Sequence, residues 1–240
     1  MKKHMQGKRL TIMMAAGLLT MATMASSAYA YPGSTELVAE WSTNPGMTGT
    51  EATLPGTGAA HISLVELTRG PGLLGNAGAN SMNTKDWDGT NDDDYLQFSL
   101  TVESGFTATL GDLWIGTKSS STGPGTMGFY SSIDNYDSAF HSLPQDGTYQ
   151  NKTIDLSFLG PISGSFAIRL YEVGNTQADG SEDTDYRGTF RVTDYYYEGS
   201  PYNIGITGTI TPVSAVPVPA AAWLLGSGIL GLIGLKRKEK

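Results

Sequence analysis

Residues 95–103 alternate apolar and polar side chains without a break, and no other feature constrains the possible fold as strongly. Successive side chains of an extended chain point to opposite sides, so the apolar members share one face and the polar members share the other. The apolar members are Leu96, Phe98, Leu100 and Val102. This pattern predicts a half-buried β-strand.

Eight further stretches have a similar pattern, and clusters of Gly, Pro, Asn, Asp and Ser separate them. They are residues 37–41, 62–67, 107–117, 127–133, 153–159, 165–173, 189–197 and 203–210. Nine strands without a persuasive helical period predict an all-β protein, namely one antiparallel two-sheet β-sandwich of the jelly-roll type over residues 31–212. The polar composition of residues 79–94 predicts a long loop.

The charge of the chain is unevenly distributed. The chain has 240 residues and a formal net charge of −8, yet residues 31–219 contain 7 basic and 22 acidic residues, a net of −15. Such a body repels phosphate backbones, which argues against a nucleic-acid partner. The absence of Cys excludes disulfides and thiolate chemistry, and only three His are present.

Residues 1–30 have the features of a secretory signal peptide. Basic residues precede an uncharged apolar run, and Ala28 and Ala30 form a small-x-small cleavage pattern that would leave Tyr31 as the mature N-terminus. The alternative is a permanent membrane helix, but the run is shorter than the roughly 20 residues that a span needs. The pattern therefore predicts an exported body.

Residues 213–240 contain a proline motif, an apolar stretch and a basic tail. The motif is Val216, Pro217, Val218, Pro219 and Ala220. The stretch from 220 to 235 would span about 24 Å as a helix, slightly less than the hydrocarbon layer of about 30 Å. The basic tail predicts a cytoplasmic C-terminus and a transmembrane helix that initially anchors the exported body.

This arrangement resembles the PEP-CTERM sorting signals of bacteria, in the VPLPA-type variant, although Val218 replaces the usual Leu. The resemblance implies recognition near Val216 to Ala220 by an exosortase, a membrane-embedded transpeptidase, in a Gram-negative bacterium that makes exopolysaccharide. It also implies transient anchoring in the inner membrane and delivery to the cell surface or the biofilm matrix. A plain single-pass anchor is the alternative.

The body carries a weaker part of the same resemblance. Its motifs lie at residues 110–115, 130–136, 166–171 and 188–194. They are similar to the succession in jelly-roll domains that precede PEP-CTERM tails, except that Thr193 is inserted before Asp194. The resemblance implies a fold and a location but no activity.

An acidic loop is the first candidate site, and its carboxylates suit Ca²⁺. They belong to Asp86, Asp88, Asp92, Asp93 and Asp94. The EF-hand register fails here, and a solvated loop without metal is the alternative. Two further acidic groups have the same alternative: Glu36, Glu40 and Asp194 form one, and Asp179, Glu182, Asp183 and Asp185 form the other.

Aromatic residues are the second candidate, because sugar rings stack on aromatic faces while amides and carboxylates bind hydroxyl groups. The candidates are Trp87, Tyr130, Tyr136, Tyr149, Tyr195, Tyr196, Tyr197 and Tyr202, of which we predict Trp87, Tyr130, Tyr136 and Tyr196 as glycan contacts. Alternation places Tyr195 and Tyr197 on one face and Tyr196 on the other. Ordinary core and surface tyrosines are the alternative.

No motif for catalysis is apparent. A retaining glycosidase needs two carboxyl groups about 5–5.5 Å apart, and no Glu-x-Asp-x-x-Glu string occurs. Neither His61 nor His141 lies near a nucleophile elbow. We therefore predict a non-catalytic surface or matrix protein, with a carbohydrate-binding module as the alternative and a glycan-cleaving enzyme as a third hypothesis.

Overall fold

A computed structural model describes residues 36–88, 92–182 and 188–213. Within these ranges the chain forms seventeen strands and two short 3-10 helices, at Ser132–Asp134 and Ser157–Leu159. The strands are β1 (Leu37–Trp41), β2 (Thr53–Pro55), β3 (Thr57–Gly58), β4 (Ile62–Arg69), β5 (Leu74–Gly75), β6 (Met82–Lys85), β7 (Tyr95–Val102), β8 (Phe106–Ser119), β9 (Thr126–Ser131), β10 (Ala139–Pro144), β11 (Gln150–Asp155), β12 (Pro161–Ile162), β13 (Gly164–Glu172), β14 (Thr189–Thr193), β15 (Tyr195–Tyr197), β16 (Ser200–Tyr202) and β17 (Ile204–Pro212).

The strands form two main antiparallel sheets in a sandwich-like arrangement. The nine-stranded sheet has the order β3-β1-β17-β8-β14-β6-β5, with β11 and β12 also paired to β8. The six-stranded sheet has the order β10-β9-β13-β7-β4-β2, and β15 and β16 form a separate hairpin. These pairings confirm the predicted all-β antiparallel architecture.

The hydrophobic core lies between the two sheets. The burial of β7 alternates as the sequence predicts, and its four apolar side chains are at most 2% exposed. Leu113 and Ile115 of β8 contribute from the other sheet and are fully buried. The Trp41 ring meets Phe98 edge-on, with 5.0 Å between centroids, and so joins the two layers. Aromatic pairs of this geometry add stability beyond the area they bury.

The polar stretch 79–94 contains β6, so the predicted continuous loop is wrong. This strand pairs with β14 and places Asn83 and Thr84 in fully buried positions. Their donor groups are hydrogen-bonded to the backbone there: Asn83 Nδ2 donates to Ala77 O at 2.9 Å and Thr84 Oγ1 donates to Phe190 O at 2.8 Å. The hydrophobic pattern therefore missed this strand, because its buried residues are polar and hydrogen-bonded.

Several other segments also differ from the prediction; for example, the strand predicted at 189–197 divides into β14 and β15, which belong to different sheets. A strand forms at β10, for which no prediction was made. The strand predicted at 153–159 ends at Asp155, where the side-chain carboxylate accepts a hydrogen bond from Ser157 N–H and a 3-10 turn follows. Strand β9 likewise ends in a 3-10 turn after Ser131.

The predicted terminal signals lie outside the described residues. This applies to Ala28, Ala30 and Tyr31 of the signal peptide and to Val216 through Ala220 of the proline motif. Among the described residues, no helix is long and apolar enough to cross a membrane.

Candidate functional site

A cleft of about 440 Å³ opens on the outer face of the nine-stranded sheet. Its lining combines two tyrosines with amide, hydroxyl and carboxylate side chains. The lining residues are Thr43, Asn44, Ala79, Asn80, Tyr149, Asn151, Thr193, Asp194 and Tyr196. Such a mixture of aromatic faces and hydrogen-bonding groups suits a polar ligand that also has apolar faces.

The floor of the cleft follows from the register of three strands. Asn151 of β11 and Thr193 of β14 are both paired with Gly116 of β8, so the three residues form one row across the sheet. Any side chain at Gly116 would collide with the Asp194 carbonyl and the Thr193 hydroxyl. The glycine therefore lets the chain at Asp194 pass close over β8.

The two tyrosines of the cleft are exposed. Tyr149 is 61% exposed and Tyr196 is 47% exposed. Tyr196 lies on the β15–β16 hairpin, which is held to the sheet because the Tyr195 ring packs edge-on against Trp114, with 5.0 Å between centroids. The backbone N–H of Tyr196 also donates to Asn151 Oδ1 at 2.9 Å, which orients that amide side chain.

The sequence prediction for the triple-tyrosine run is only partly confirmed. Tyr195 is buried, but Tyr197 is exposed together with Tyr196. The reason is that the hairpin turns immediately afterwards, at Glu198 and Gly199, which both have positive φ. Since β15 is only three residues long, the sheet covers one ring and not two.

One rim of the cleft is fixed by Asp194. Its Oδ1 atom accepts hydrogen bonds from the N–H of Thr43 at 2.7 Å and from the Thr43 hydroxyl at 2.8 Å. Its Oδ2 atom accepts from the N–H of Asn44 at 3.2 Å. Burial raises the pKa of Asp194, and the hydrogen bonds from Thr43 and Asn44 oppose that shift. The carboxylate therefore positions the loop that carries Asn44.

The other rim is a pair of loops joined by hydrogen bonds. Asn80 N–H donates to Met47 O at 2.8 Å, and Gly78 N–H donates to Thr48 O at 2.7 Å. Asn80 has a φ of 54°, a left-handed conformation that asparagine adopts more readily than most residues. Asn44 and Asn80 are thus held in place before any ligand arrives, which lowers the entropic cost of binding.

Two of the predicted glycan contacts, Tyr130 and Tyr136, lie elsewhere, on the six-stranded sheet. There the Arg169 guanidinium lies over the Tyr95 ring at 3.9 Å and over the Tyr136 ring at 4.1 Å. Tyr130 meets Tyr171 edge-on, with 5.2 Å between centroids. These rings are half-buried, whereas both tyrosines of the cleft are exposed, so this cluster is less open to a ligand than the cleft.

The prediction that Trp87 contacts a glycan is wrong. Trp87 is 1% exposed, and it packs edge-on against Phe190 with 5.8 Å between centroids. Its Nε1 donates to Thr84 Oγ1 at 3.0 Å. The neighbouring aspartates favoured an exposed position for Trp87 in the sequence prediction. The chain turns at Asp86, whose φ is 70°, and directs the indole into the core.

The acidic loop is only partly described, since residues 89–91 lie outside the described ranges. Asp94 is 4% exposed, whereas Asp92 and Asp93 are exposed. Burial and the adjacent Asp88 carboxyl, which hydrogen-bonds it, raise the pKa of Asp94 to about 6. Across the described parts of the chain, no three acidic or histidine side chains come together as a metal site. The calcium site stays a prediction.

The other acidic groups do not assemble around a common point. Glu40 Oε2 accepts a hydrogen bond from Asn203 Nδ2 at 3.0 Å, while Asp194 is committed to Thr43 and Asn44. Glu36 is exposed at the start of the described chain. In the other group, Asp179 accepts hydrogen bonds from Ser181, and Asp183 and Asp185 lie outside the described residues.

Sequence reasoning missed most of the polar groups of the cleft. Asn44, Asn80 and Asn151 come from three separate segments, and a single sequence carries no signal that they meet. A local signal exists only for Tyr149 and Asn151, which are two residues apart at the start of β11 and therefore share a face.

Comparisons with known proteins add little to this geometry. No family model matches the chain, and no curated protein matches it. Two solved structures of mutants of CBM29-2, described as a family 29 carbohydrate-binding module, are similar to it in outline. One has 12% identity and a TM-score of 0.37 and covers 77% of this chain and 100% of its own. The other has 16% identity and a TM-score of 0.32 and covers 62% and 86%.

Proposed function

We propose that this protein is an exported, non-catalytic polysaccharide-binding protein of the cell surface or extracellular matrix. The observation that carries the binding proposal is the pair of exposed tyrosines, Tyr149 and Tyr196, on a cleft lined by three asparagine side chains. We assign the sandwich to the jelly-roll type as part of the same proposal.

The cleft suits a sugar chain on chemical grounds. The C–H faces of a pyranose ring stack on tyrosine rings, while its hydroxyl groups need partners that both donate and accept. The side chains of Asn44, Asn80 and Asn151 supply both functions. Because hydrogen bonds and cross-strand pairs fix the backbone that carries these side chains, little backbone entropy remains to be lost on binding.

The carboxylates of the cleft support a non-catalytic role. Among the described lining residues Asp194 is the sole acid, and its oxygens are occupied by Thr43 and Asn44. Glycoside hydrolysis ordinarily needs two carboxyl groups that face the scissile bond. His61 and His141 do not line this cleft either. A glycan incubated with the protein should therefore remain intact.

Export and sorting are proposed from the sequence of the two ends. The signal-peptide pattern at Ala28 to Tyr31 and the proline motif at Val216 to Ala220 resemble a PEP-CTERM substrate. On this proposal an exosortase recognises the motif while the C-terminal helix holds the protein in the inner membrane. The body then reaches the surface or the exopolysaccharide matrix, where its cleft meets glycan.

A glycan microarray tests the binding proposal on the purified full-length chain. We expect Tyr149→Ala and Tyr196→Ala each to weaken glycan binding by about tenfold, since each aromatic stack contributes about 1–2 kcal/mol. Tyr197→Ala is the matched control, because Tyr197 is exposed on the same hairpin but does not line the cleft. Equal losses in all three variants, or no binding by the wild type, would reject the proposal.

Localisation tests the sorting proposal separately. Deleting residues 216–240 should prevent surface delivery in a host that has an exosortase, and a mass spectrum of the mature protein should begin at Tyr31 and end near the proline motif. Unchanged surface delivery of the deleted form would reject sorting and leave the glycan proposal untouched.

A further inference from the structure

Two basic residues lie directly opposite each other beside the cleft. Lys118 of β8 and Arg191 of β14 are cross-strand partners, two register positions beyond the Gly116–Thr193 pair of the cleft floor. Like charges at directly opposite positions destabilise a sheet. Only seven basic residues occur between positions 31 and 219, so the pair forms a local positive patch on a body whose net charge of −15 otherwise repels anions.

Neither residue is neutralised by the described part of the chain. No carboxylate there lies within salt-bridge distance of Lys118 or Arg191. The Nε atom of Arg191 is buried and has no hydrogen-bond partner among the described residues. The side chain of Arg191 is only half-buried, and it has no charged partner in the described part of the chain.

The basic pair is continuous with the aromatic wall of the cleft. Lys118 Nζ lies 4.6 Å from the centre of the Tyr149 ring, and Tyr149 lines the cleft. The row that contains Lys118 and Arg191 is two residues along the strands from the cleft floor, a distance of about 7 Å. A pyranose ring stacked on Tyr149 would therefore hold its substituents within reach of the two cations.

A third basic residue lies on the same face. Lys85 of β6 is paired with Thr189 of β14, two residues from Arg191, and therefore projects to the same side of the sheet. It also has no ion pair among the described residues. Three of the seven basic residues of the body thus share the face that carries the cleft.

We propose that the glycan bound in this cleft is acidic, a polysaccharide of uronate residues whose carboxylates pair with Lys118 and Arg191. This inference rests on the proposed function and adds the ligand class. Tyr149 and Tyr196 hold the sugar rings, and the cations select the carboxylates. Arg191 binds a carboxylate through its planar guanidinium fork.

The test compares two forms of one polymer by affinity electrophoresis of the full-length protein. The probes are sodium polygalacturonate and its highly methyl-esterified form, which has the same backbone without the charges. We expect the wild type to bind the acidic form at least tenfold more tightly. Lys118→Gln and Arg191→Gln should each weaken that binding by about tenfold, because each variant loses a charge-assisted hydrogen bond to a carboxylate.

The control for general charge effects is Lys152→Gln. Lys152 lies on β11 of the same sheet but is paired with Ile115, a core residue, so it belongs to the opposite face. It should leave binding of the acidic form unchanged. Lys118→Gln provides an independent test if Arg191→Gln disturbs folding. Urea denaturation measures the stability of both variants.

The outcomes separate this inference from the function on which it rests. Equal binding of the two forms, lost in Tyr149→Ala, would overturn the acidic ligand and leave glycan binding intact. A uniform loss in all three charge variants would show general electrostatic attraction and would also overturn it. Both proposals would be rejected if neither form of the polymer retained the wild type and the wild type also bound no neutral glycan on the microarray.

Discussion

Asp194 and Thr43, which are 151 positions apart in the sequence, are joined by three hydrogen bonds. The Asp194 carboxylate accepts from the N–H and the hydroxyl of Thr43, and the N–H of Asp194 donates back to that hydroxyl at 3.0 Å. Both residues are buried. This contact attaches the first loop of the sandwich to the end of β14 and thereby closes one rim of the cleft.

Removing that carboxylate should destabilise the fold and open the cleft. We expect Asp194→Ala to lower the free energy of unfolding by about 2–4 kcal/mol, because buried donors at Thr43 and Asn44 lose their acceptor. Urea denaturation measures the change. Asp137→Ala is the control, since Asp137 is exposed. Equal stability of the two variants would show that the contact contributes nothing.

Asp94 should make stability depend on pH. Its raised pKa of about 6 means that the folded protein keeps this proton at a pH where the unfolded chain has released it. The Asp94 contribution is therefore fully present below about pH 4 and is lost as the pH rises to about 6. The Asp94→Asn variant has no carboxyl group to ionise at this position. Between pH 4 and pH 7 its free energy of unfolding should therefore gain on the order of 2 kcal/mol relative to that of the wild type. Denaturation curves at both pH values test this, and parallel pH profiles would contradict it.

Calcium has a distinct signature at the same carboxylates. If Ca²⁺ binds the loop, it must displace the proton that Asp94 holds, and a cation bound only by the folded state raises stability. The melting temperature should therefore rise on adding Ca²⁺ at pH 7 and rise less at pH 5. Calorimetry with and without a chelator measures both values. No shift at pH 7 would count against the predicted site.

Trp87 and Tyr196 should respond in opposite ways to truncation. Trp87→Ala should lower the free energy of unfolding by about 3–5 kcal/mol, because it leaves a cavity in the core. Tyr196→Ala should change it by less than about 0.5 kcal/mol, as for most surface substitutions, while weakening glycan binding. Thermal unfolding checks the first expectation. Trp87→Phe, which keeps a ring but loses the bond to Thr84, should cost less than Trp87→Ala.

Strand prediction succeeded best where apolar and polar residues alternate strictly, so that one side of the strand faces the core and the other faces solvent. The apolar alternation of β7 is an example, since its burial follows the sequence position by position. It failed at β6, because Asn83 and Thr84 are buried with their side-chain donors bonded to backbone carbonyls. A polar residue in the sequence indicates solvent exposure only when the fold offers its side chain no internal hydrogen-bond partner.

Prediction of the site failed for a different reason. Aromatic residues in a polar context were expected at the surface, which is correct for Tyr196 and wrong for Trp87. Alternation says which residues share a face of a strand but not which faces become covered. The hairpin β15–β16, for example, buries Tyr195 against Trp114 and leaves Tyr197 exposed.

The sequence by itself determined that the body is an antiparallel β-protein, because a period of two in hydrophobicity is a local property of the chain. Its charge distribution was equally readable, with an acidic body between basic ends. Only the tertiary structure decided where a ligand can bind. Strand register brings Asn151, Gly116 and Thr193 into one row, and a contact across 151 positions holds Asn44 beside them. Such long-range pairing depends on which strands become neighbours, and local patterns do not encode that.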